Sequence, residues 1–376
     1  MARGERERLA HAKRLVVKIG SGVLTRDGRF HGRTLSRLAR EIAASRADGR
    51  TVVVVSSGAI ALGVEALGLP RRPRDIAGLQ SAAAVGQARL VDRWSRAFAR
   101  HGVTVAQVLL THADLHARTR YLNARHTLGR LLLQGVVPVV NENDSVAVEE
   151  IRVGDNDLLA GLVTGLVGAD LLVLLTDIDG VYTGDPRVDR EARRLPVIDP
   201  ADPAVRAAAR RTRSAVGTGG MATKVRAAAM AADLGVPAVI AGGRRRGVLA
   251  RVLAGEDEGT LVRAGPARLT GRKGWLAHAT RPKGRVVVDA GARRALEERH
   301  SSLLPSGVRA VEGRFDEGDP VAVADEAGAV FAVGLTSYGA DALRRIAGRR
   351  TSEIAGILGF RTLDEVIHRD DLVLTA

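Results

Sequence analysis

Leu15–Gly22 reads LVVKIGSG, a short apolar run that ends in glycine and serine. The run Leu15–Ile19 has the composition of a parallel strand buried on both faces, which loses the polar alternation of a half-exposed one. Lys18 is its exception, because a lysine is rarely buried without a partner. An edge strand with a solvated ammonium would accommodate it, but a phosphate ligand over the following glycine loop accounts for more. Thr51–Val55, TVVVV, repeats the pattern and ends in Ser56-Ser57-Gly58 before a helix from Ala59.

Working outward, Arg33–Ala47 and Ala82–Ala99 have helical patterning, and Val103–Leu110 is a third strand. A helix carrying Tyr121, Asn123 and Arg125 follows. Gly135–Val140 (GVVPVV) then feeds into Asn141-Glu142-Asn143-Asp144, four polar side chains suited to gripping an amino acid. Gly154-Asp155-Asn156-Asp157 precedes the apolar helix Leu158–Val167, so Asp157 read alone is an ordinary helix cap. Asp170–Leu175 is a strand ending in Thr176-Asp177, and the turn-rich stretch from Ile178 to Arg187 suits a hairpin lid. Val236–Ala241 is a further strand. This alternation predicts a mainly parallel sheet with helices on both faces, whose ligands bind beyond the carboxyl ends of the strands. Every polar cluster named above falls at such an end.

Thr218–Lys224, TGGMATK, leads into the helical run VRAAAMAADLG. Gly219 and Gly220 permit a tight turn, and the helix start adds the positive end of its dipole. Lys224 adds a full charge, and Thr218 and Thr223 can hydrogen-bond an anion's oxygens. A turn with a plain cap is the alternative. Two lysines, glycine loops and an aspartate at the mouth of a parallel sheet suit phosphoryl transfer, where a protein chiefly positions groups and neutralises charge. The sequence contains no G-x-x-x-x-G-K-[ST], no G-x-G-x-x-G after the first strand and no G-x-S-x-G. The nine histidines lack metal-ligand spacing, and with no cysteine there is neither a thiolate metal site nor a disulfide.

At 376 residues with 45% hydrophobic and 3% aromatic content, the chain can build two domains around Val, Leu, Ile and Ala. The net charge of +15 suits anionic substrates but is spread along an arginine-rich chain. No apolar run of the roughly 18 residues needed to span a bilayer occurs, and MARGERERLAHAKR lacks the apolar region of a signal peptide, so a cytoplasmic protein is expected. Residues 263–282, rich in Gly, Pro and basic residues, read as a linker between a domain over 1–262 and a smaller one over 283–376. In the latter, Gly284–Asp289, Val308–Val311, Pro320–Ala324 and Ala329–Gly334 are short strands suggesting a small β-barrel. Asp341–Gly348 and Thr351–Leu358 are short helical pieces.

The segments LVVKIG, SSGAIALG, AAVGQARL, YLNARHTL, VVPVVNENDSV, VGDNDLLA, LLTDIDGVYTGDPR and TGGMATK, in this order and spacing, resemble the amino acid kinase family. With HSSLLPSGV, DALRRIAGRRTSEIAGILG and HRDD in the tail, the resemblance is to the branch that acts on glutamate and carries a C-terminal PUA domain. It implies a three-layer αβα sandwich with a PUA-like β-barrel appended. It also implies transfer of the ATP γ-phosphoryl to the side-chain carboxylate of L-glutamate, the first step of proline synthesis. Lys18 and Lys224 would flank the phosphoryl, with Gly20 and Gly220 N–H groups aimed at its oxygens and Asp157 holding the lysines. Ser57, Asp144 and Asn156 would bind glutamate. Thr176, Asp177 and the loop Thr218, Gly219, Gly220, Met221, Ala222, Thr223 and Lys224 would hold ATP, together with Lys18 and Gly20. Mg²⁺ would bridge the β- and γ-phosphates with no protein ligand assigned. Proline would inhibit, and the chain would form a homo-oligomer. Gly22 departs from the small hydroxyl residue commoner in the family, which removes one minor phosphate contact.

Two rivals stand beside this reading. One is a sibling kinase with another acceptor. The other is an RNA-linked role through the basic tail, with Arg344, Arg345, Arg349 and Arg350. Against RNA, Phe315, Phe331, Tyr338 and Phe360 are scattered and form no stacking platform.

Overall fold

The computed structural model describes residues 2–26, 29–147, 155–205, 207, 220–265, 276, 282–359 and 363–375. Helix α1 (Ala2–Glu7) precedes strand β1 (Arg14–Ile19), the single turn α2 (Ser21–Leu24) and two short antiparallel strands, β2 (Thr25–Arg26) and β3 (Arg29–Phe30). Next come α3 (Gly32–Ala47), β4 (Thr51–Ser56), α4 (Ala59–Ala66), α5 (Ile76–Ala99), β5 (Val105–Leu110), α6 (His112–His116) and α7 (Arg118–Leu133). They are followed by β6 (Val137–Glu142), α8 (Asp155–Val167), β7 (Leu171–Thr176), β8 (Val197–Ile198), α9 (Met221–Asp233), β9 (Ala238–Gly242), α10 (Val248–Leu253) and β10 (Thr260–Val262). All of these belong to the first of two compact units, Met1–Leu269.

Its sheet has eight strands in the order β5-β6-β4-β1-β7-β9-β10-β8, parallel except where β10 meets β9. The expected αβα layering follows from side-chain alternation. Leu15, Val17 and Ile19 of β1 join a core with α3, α4, α5 and α10 on one face. The intervening positions Val16 and Lys18 therefore face the other layer, where α8 packs on β1 and α9 packs on α8. Lys18 is a central-strand residue, between Val55 of β4 and Leu174 of β7, so the edge-strand alternative does not hold. Trp94 is fully buried in the α5 layer, and its indole N–H donates to Ser56 Oγ at 2.9 Å, satisfying both polar groups.

Several boundaries differ from expectation for local reasons. α5 starts at Ile76 rather than Ala82, because Asp75 caps it by accepting the Gly78 N–H at 2.7 Å. β6 runs on through Asn141 and Glu142, which keep ladder register with Leu109 and Leu110 of β5. The turn-rich stretch forms a hairpin, with Tyr182 bridged to Arg194 and Thr183 N–H donating to the Arg193 carbonyl at 3.0 Å. The N-terminal segment folds back onto the unit. The buried Arg6 guanidinium donates to the carbonyls of Pro196 (2.7 Å), Glu256 (2.9 Å), Glu258 (3.0 Å) and Gly259 (3.0 Å).

The second unit, Thr270–Ala376, contains β11 (Gly284–Val288), α11 (Ala290–Arg299), β12 (Val308–Gly313), β13 (Pro320–Ala324), β14 (Val330–Leu335), α12 (Ala340–Ile346), α13 (Ile354–Leu358) and β15 (Leu372–Leu374). Its sheet order is β12-β11-β13-β14-β15, with β11 and β13 parallel. Tyr338 anchors a separate core with Leu343, Ile346, Ile354 and Ile367. Most of the expected linker, 266–275 and 277–281, lies outside the described residues. Among the described residues, no helix is long and apolar enough to cross a membrane.

α4 and α5 approach through glycines. A Cβ at Gly86 would sit 1.8 Å from the Ala59 carbonyl oxygen, and one at Gly63 would sit 1.7 Å from that of Ala82. Gly86→Ala must push the helices apart, and we expect it to destabilise the chain by about 2–3 kcal/mol. Thermal unfolding checks this, and an unchanged midpoint would refute the close packing.

Candidate active site

Three side chains from three elements meet beside the C-terminal end of β1. Asp157, in the first turn of α8, places Oδ1 2.5 Å from Lys18 Nζ and Oδ2 3.1 Å from Lys224 Nζ in α9. Lys18, Lys224 and Asp157 are 5%, 6% and 1% exposed, so this is a buried triad, not a surface ion pair. The helix-cap alternative for Asp157 therefore fails. Thr223 Oγ lies 2.7 Å from Asp157 Oδ2 and 2.8 Å from the Gly220 carbonyl oxygen. Its single proton is committed there, so Thr223 orients Asp157 instead of donating to an anion as expected.

The electrostatics follow from this packing. Burial raises the pKa of Asp157, but Lys18, Lys224 and two hydrogen bonds outweigh it and hold the carboxyl at about 2. Burial lowers the pKa of Lys18. Asp157 opposes that shift, and the like charge of Lys224 adds to it. One carboxylate against two ammonium groups leaves a surplus positive charge inside a water-poor site, suited to an anion. Gly20 lies beside it, where a Cβ would come 3.3 Å from the Leu175 carbonyl oxygen, a tight contact with backbone. Its N–H, expected to face a phosphate, instead donates to the Leu175 carbonyl at 3.1 Å, extending the β1–β7 pairing.

A second cluster lies beyond β4 and β6. Asn156 Nδ2 donates to Ser57 Oγ at 3.0 Å and to Asn141 Oδ1 at 2.9 Å, and Asn156 Oδ1 accepts the Glu142 N–H at 3.2 Å. Ser57 is placed by Gly58, whose φ of +117° makes the turn from strand to helix that a side chain would strain. Asp144 lies in the turn just past β6, half-buried, with Arg72 as its charged neighbour. Burial raises its pKa to about 6, and Arg72 only partly opposes this.

Thr176 and Asp177 close the end of β7, with Thr176 Oγ donating to Asp177 Oδ1 at 3.0 Å. The Asp177 charge acts on both Lys18 and Arg187, so these groups share one mouth. A Cβ at Gly22 would meet the Asp177 carboxyl carbon at 3.2 Å, so a hydroxyl residue there would turn towards Asp177. Of the 218–224 loop, Gly220, Met221, Ala222, Thr223 and Lys224 form the start of α9, while Thr218 and Gly219 lie outside the described residues. Sequence reasoning did not select Arg187 or Gln87, and read Asn141 only as part of the polar cluster Asn141-Glu142-Asn143-Asp144. Arg187 is gripped by Asp185 through Nε at 3.0 Å and Nη2 at 2.9 Å. Asn141 Nδ2 donates to Gln87 Oε1 at 2.8 Å. Their signal was the flanking DPR, NEND and AAVGQ segments.

The strand order explains this division. β1 lies between β4, which leads outward to β6 and β5, and β7, which leads to β9. Such a switch point opens a crevice at the sheet's carboxyl edge. Ser57, Asn141 and Asp144 follow the strands on one side, Thr176 and Asp177 follow one on the other, and Lys18 stands between. The geometry can seat two anionic ligands side by side with the ammonium pair at their junction.

Replacing Asp157 by Ala would leave two buried ammonium groups without their carboxylate, at a cost of about 3–5 kcal/mol. A carboxyl held at about 2, against 3.8 in an unfolded chain, contributes stability above pH 3.8 that is lost as pH falls towards 2. Denaturant titration should thus show a gap between wild type and Asp157→Ala that is full near neutrality and narrows below about pH 4. A constant gap, or none, would contradict the triad.

Comparison with known proteins places this geometry. The model of the amino acid kinase family matches residues 13–242, and that of the PUA domain matches residues 284–358. The chain is 56% identical over 370 residues to a protein named glutamate 5-kinase from Myxococcus xanthus, covering 98% of each chain. Proteins of the same name from Anaeromyxobacter dehalogenans and Pelobacter propionicus are 52% identical over 374 residues and 50% identical over 370 residues. These alignments cover 98% of this chain, with 98% of the first relative and 99% of the second. With the family match spanning most of the chain and the relatives nearly all of it, the chain belongs to the amino acid kinase family.

Proposed function

We propose that this chain transfers the γ-phosphoryl group of ATP to the side-chain carboxylate of L-glutamate, giving L-glutamyl 5-phosphate and ADP, the first step of proline biosynthesis. The observation that carries this is the buried Lys18–Asp157–Lys224 triad at the sheet's crevice, with the Ser57–Asn156 pair beside it. A side-chain carboxylate with a pKa near ~4.3 is ionised at neutral pH, so its oxygen attacks the γ-phosphorus without a general base. The bond from that phosphorus to the β–γ bridging oxygen breaks, and ADP leaves. The difficulty is bringing two anions together, which the ammonium pair offsets most as charge redistributes in the transition state.

On this reading Ser57 and Asn156 orient the acceptor, and Asp144 receives its α-ammonium. Thr176, Asp177, Gly20 and the 218–224 loop line the nucleotide, with the catalytic domain over 1–262, a linker over 263–282 and the PUA-like domain over 283–376. Of the carboxylates at the crevice, Asp157 is taken up by Lys18 and Lys224 and Asp177 accepts from Thr176, which does not fit a protein-held divalent cation. Among the described residues no group of three or more His, Cys, Asp and Glu side chains is arranged to hold one. Mg²⁺ would instead come with the nucleotide and supply charge neutralisation to its phosphates. Proline, with its carboxylate and ammonium, fits the acceptor pocket as a feedback inhibitor. A homo-oligomer and a cytoplasmic setting complete the proposal.

Hydroxylamine trapping of the acyl phosphate, with glutamate, N-acetylglutamate and aspartate supplied in turn, tests the acceptor. We expect hydroxamate with glutamate, and its formation only with another acceptor would overturn the reading. Lys224→Ala should lower kcat by about 10²–10³-fold with a smaller change in glutamate KM. An unchanged kcat would remove Lys224 from the mechanism. Because the raised pKa of Asp144 leaves its carboxyl neutral below about pH 6, glutamate KM should rise as pH falls through that value. Steady-state kinetics between pH 5 and pH 8 read this directly, and a flat KM would exclude Asp144 as the ammonium's partner.

A further inference from the structure

The longest helix of the first unit, α5 with 24 residues, contributes no side chain to the reaction described above, although its AAVGQARL segment stood out in the sequence. Two of its glutamines nevertheless reach the acceptor side of the crevice. Gln87 Oε1 accepts from Asn141 Nδ2 at 2.8 Å, and Asn141 Oδ1 accepts from Asn156 Nδ2 at 2.9 Å. The same Asn156 nitrogen donates to Ser57 Oγ at 3.0 Å. This chain of amides has a direction. The backbone N–H of Glu142 cannot reverse, and it donates to Asn156 Oδ1 at 3.2 Å, so the Asn156 nitrogen must face Ser57 and Asn141. Ser57 Oγ is thereby an acceptor within the protein, and its own proton remains for a carboxylate outside it. Reversing Asn141 would set nitrogen against nitrogen, and Gln87 holds it in the required sense. Gln87 Nε2 itself is buried and makes no hydrogen bond to any described residue.

Gln80 lies seven residues earlier, two turns away on the same face. Its Nε2 donates to the Ala147 carbonyl at 3.3 Å, at the end of the turn that carries Asp144. Ala147 is buried with Leu79 in a small cluster, against which Ile60 and Ile76 pack. The glycine contacts of Gly63 and Gly86 draw α4 and α5 together here.

We propose that α5 is the positioning element for the acceptor amino acid: Gln87 anchors Asn141, which with the Glu142 N–H holds Asn156 against Ser57, and Gln80 holds the turn bearing Asp144. Neither glutamine touches the reacting atoms. The proposal rests on the assignment of Ser57, Asn156 and Asp144 to glutamate.

The test is steady-state kinetics on the full-length chain with Gln87→Met, Gln87→Glu and Gln80→Met, alongside thermal unfolding. Loss of one aligned hydrogen bond in Gln87→Met should raise glutamate KM by about tenfold, with ATP KM within about twofold. Gln87→Glu keeps an oxygen that accepts from Asn141 but sets a second, charged oxygen where the unpaired nitrogen was buried, so it should raise glutamate KM less than Gln87→Met does without reaching the wild-type value. Gln80→Met should raise glutamate KM by about fivefold and tests the second arm independently. Glutamate and ATP KM rising together, equal effects of Met and Glu at 87, or an unmoved glutamate KM in both Met variants would overturn the proposal. A wild-type chain that forms no hydroxamate with glutamate would instead sink the functional reading beneath it.

Discussion

Two ammonium groups share one carboxylate inside the first unit, and the arrangement of its catalytic crevice depends on that pairing. Desolvating a lysine is costly, and two lysines side by side add repulsion to the cost. Asp157 makes the pair tolerable because each of its oxygens faces one lysine, at 2.5 Å and 3.1 Å. The partners come from a strand and two helices far apart in the chain, so the triad also ties β1, α8 and α9 together. Its residual positive charge is preorganised: the dipoles and charges are in place before a ligand arrives, and none must reorient during reaction.

The sheet determines what this charge can act on. Parallel strands end on the same edge, and the connection order reverses about β1, so residues following β4 and β6 gather on one side and residues following β7 on the other. On the proposed reading, acceptor and donor would be separated by a strand's width, with Lys18 between them. The proposed acceptor side combines the Asp144 carboxyl with amides and a hydroxyl that are joined in a directional hydrogen-bond chain back to α5. The proposed donor side is formed by the start of α9, from Gly220, and the polar end of β7. Glycine recurs where backbone approaches closely, at Gly20 against the Leu175 carbonyl and at Gly63 and Gly86 between helices.

The C-terminal unit has a separate core centred on Tyr338 and a mixed five-stranded sheet. Its polar residues are largely spent on local order. Asp289 accepts the Ala292 N–H at 2.7 Å at the start of α11 and pairs with Arg309 at 2.8 Å, and Arg293 pairs with Glu297 at 3.1 Å. These exposed pairs stabilise little individually. The arginine excess of this unit is thus partly committed to intramolecular partners.

Much of this organisation was legible in the linear chain. Runs such as LVVKI, TVVVV and DLLVLL can be little other than buried strands, because their apolar continuity needs cover on both faces. Their Gly/Ser and Thr-Asp endings marked the ligand-binding edge, and Lys18 announced itself as a charge in a strand with no exposed side. What the chain could not state was pairing, because that depends on which residues become neighbours across more than a hundred positions. Asp157 looks like a helix cap until Lys18 and Lys224 are seen against it. Gly20 and Thr223 look like phosphate donors until Leu175 and Asp157 are found to accept from them. Gln87 has no local feature that marks it, and its role appears only when α5 packs close enough to meet Asn141. Side-chain periodicity and composition therefore determined the layers and the rim, since both are local properties of the backbone. Tertiary packing alone decided the hydrogen-bond directions and the burial that sets each charge, since both depend on neighbours remote in sequence.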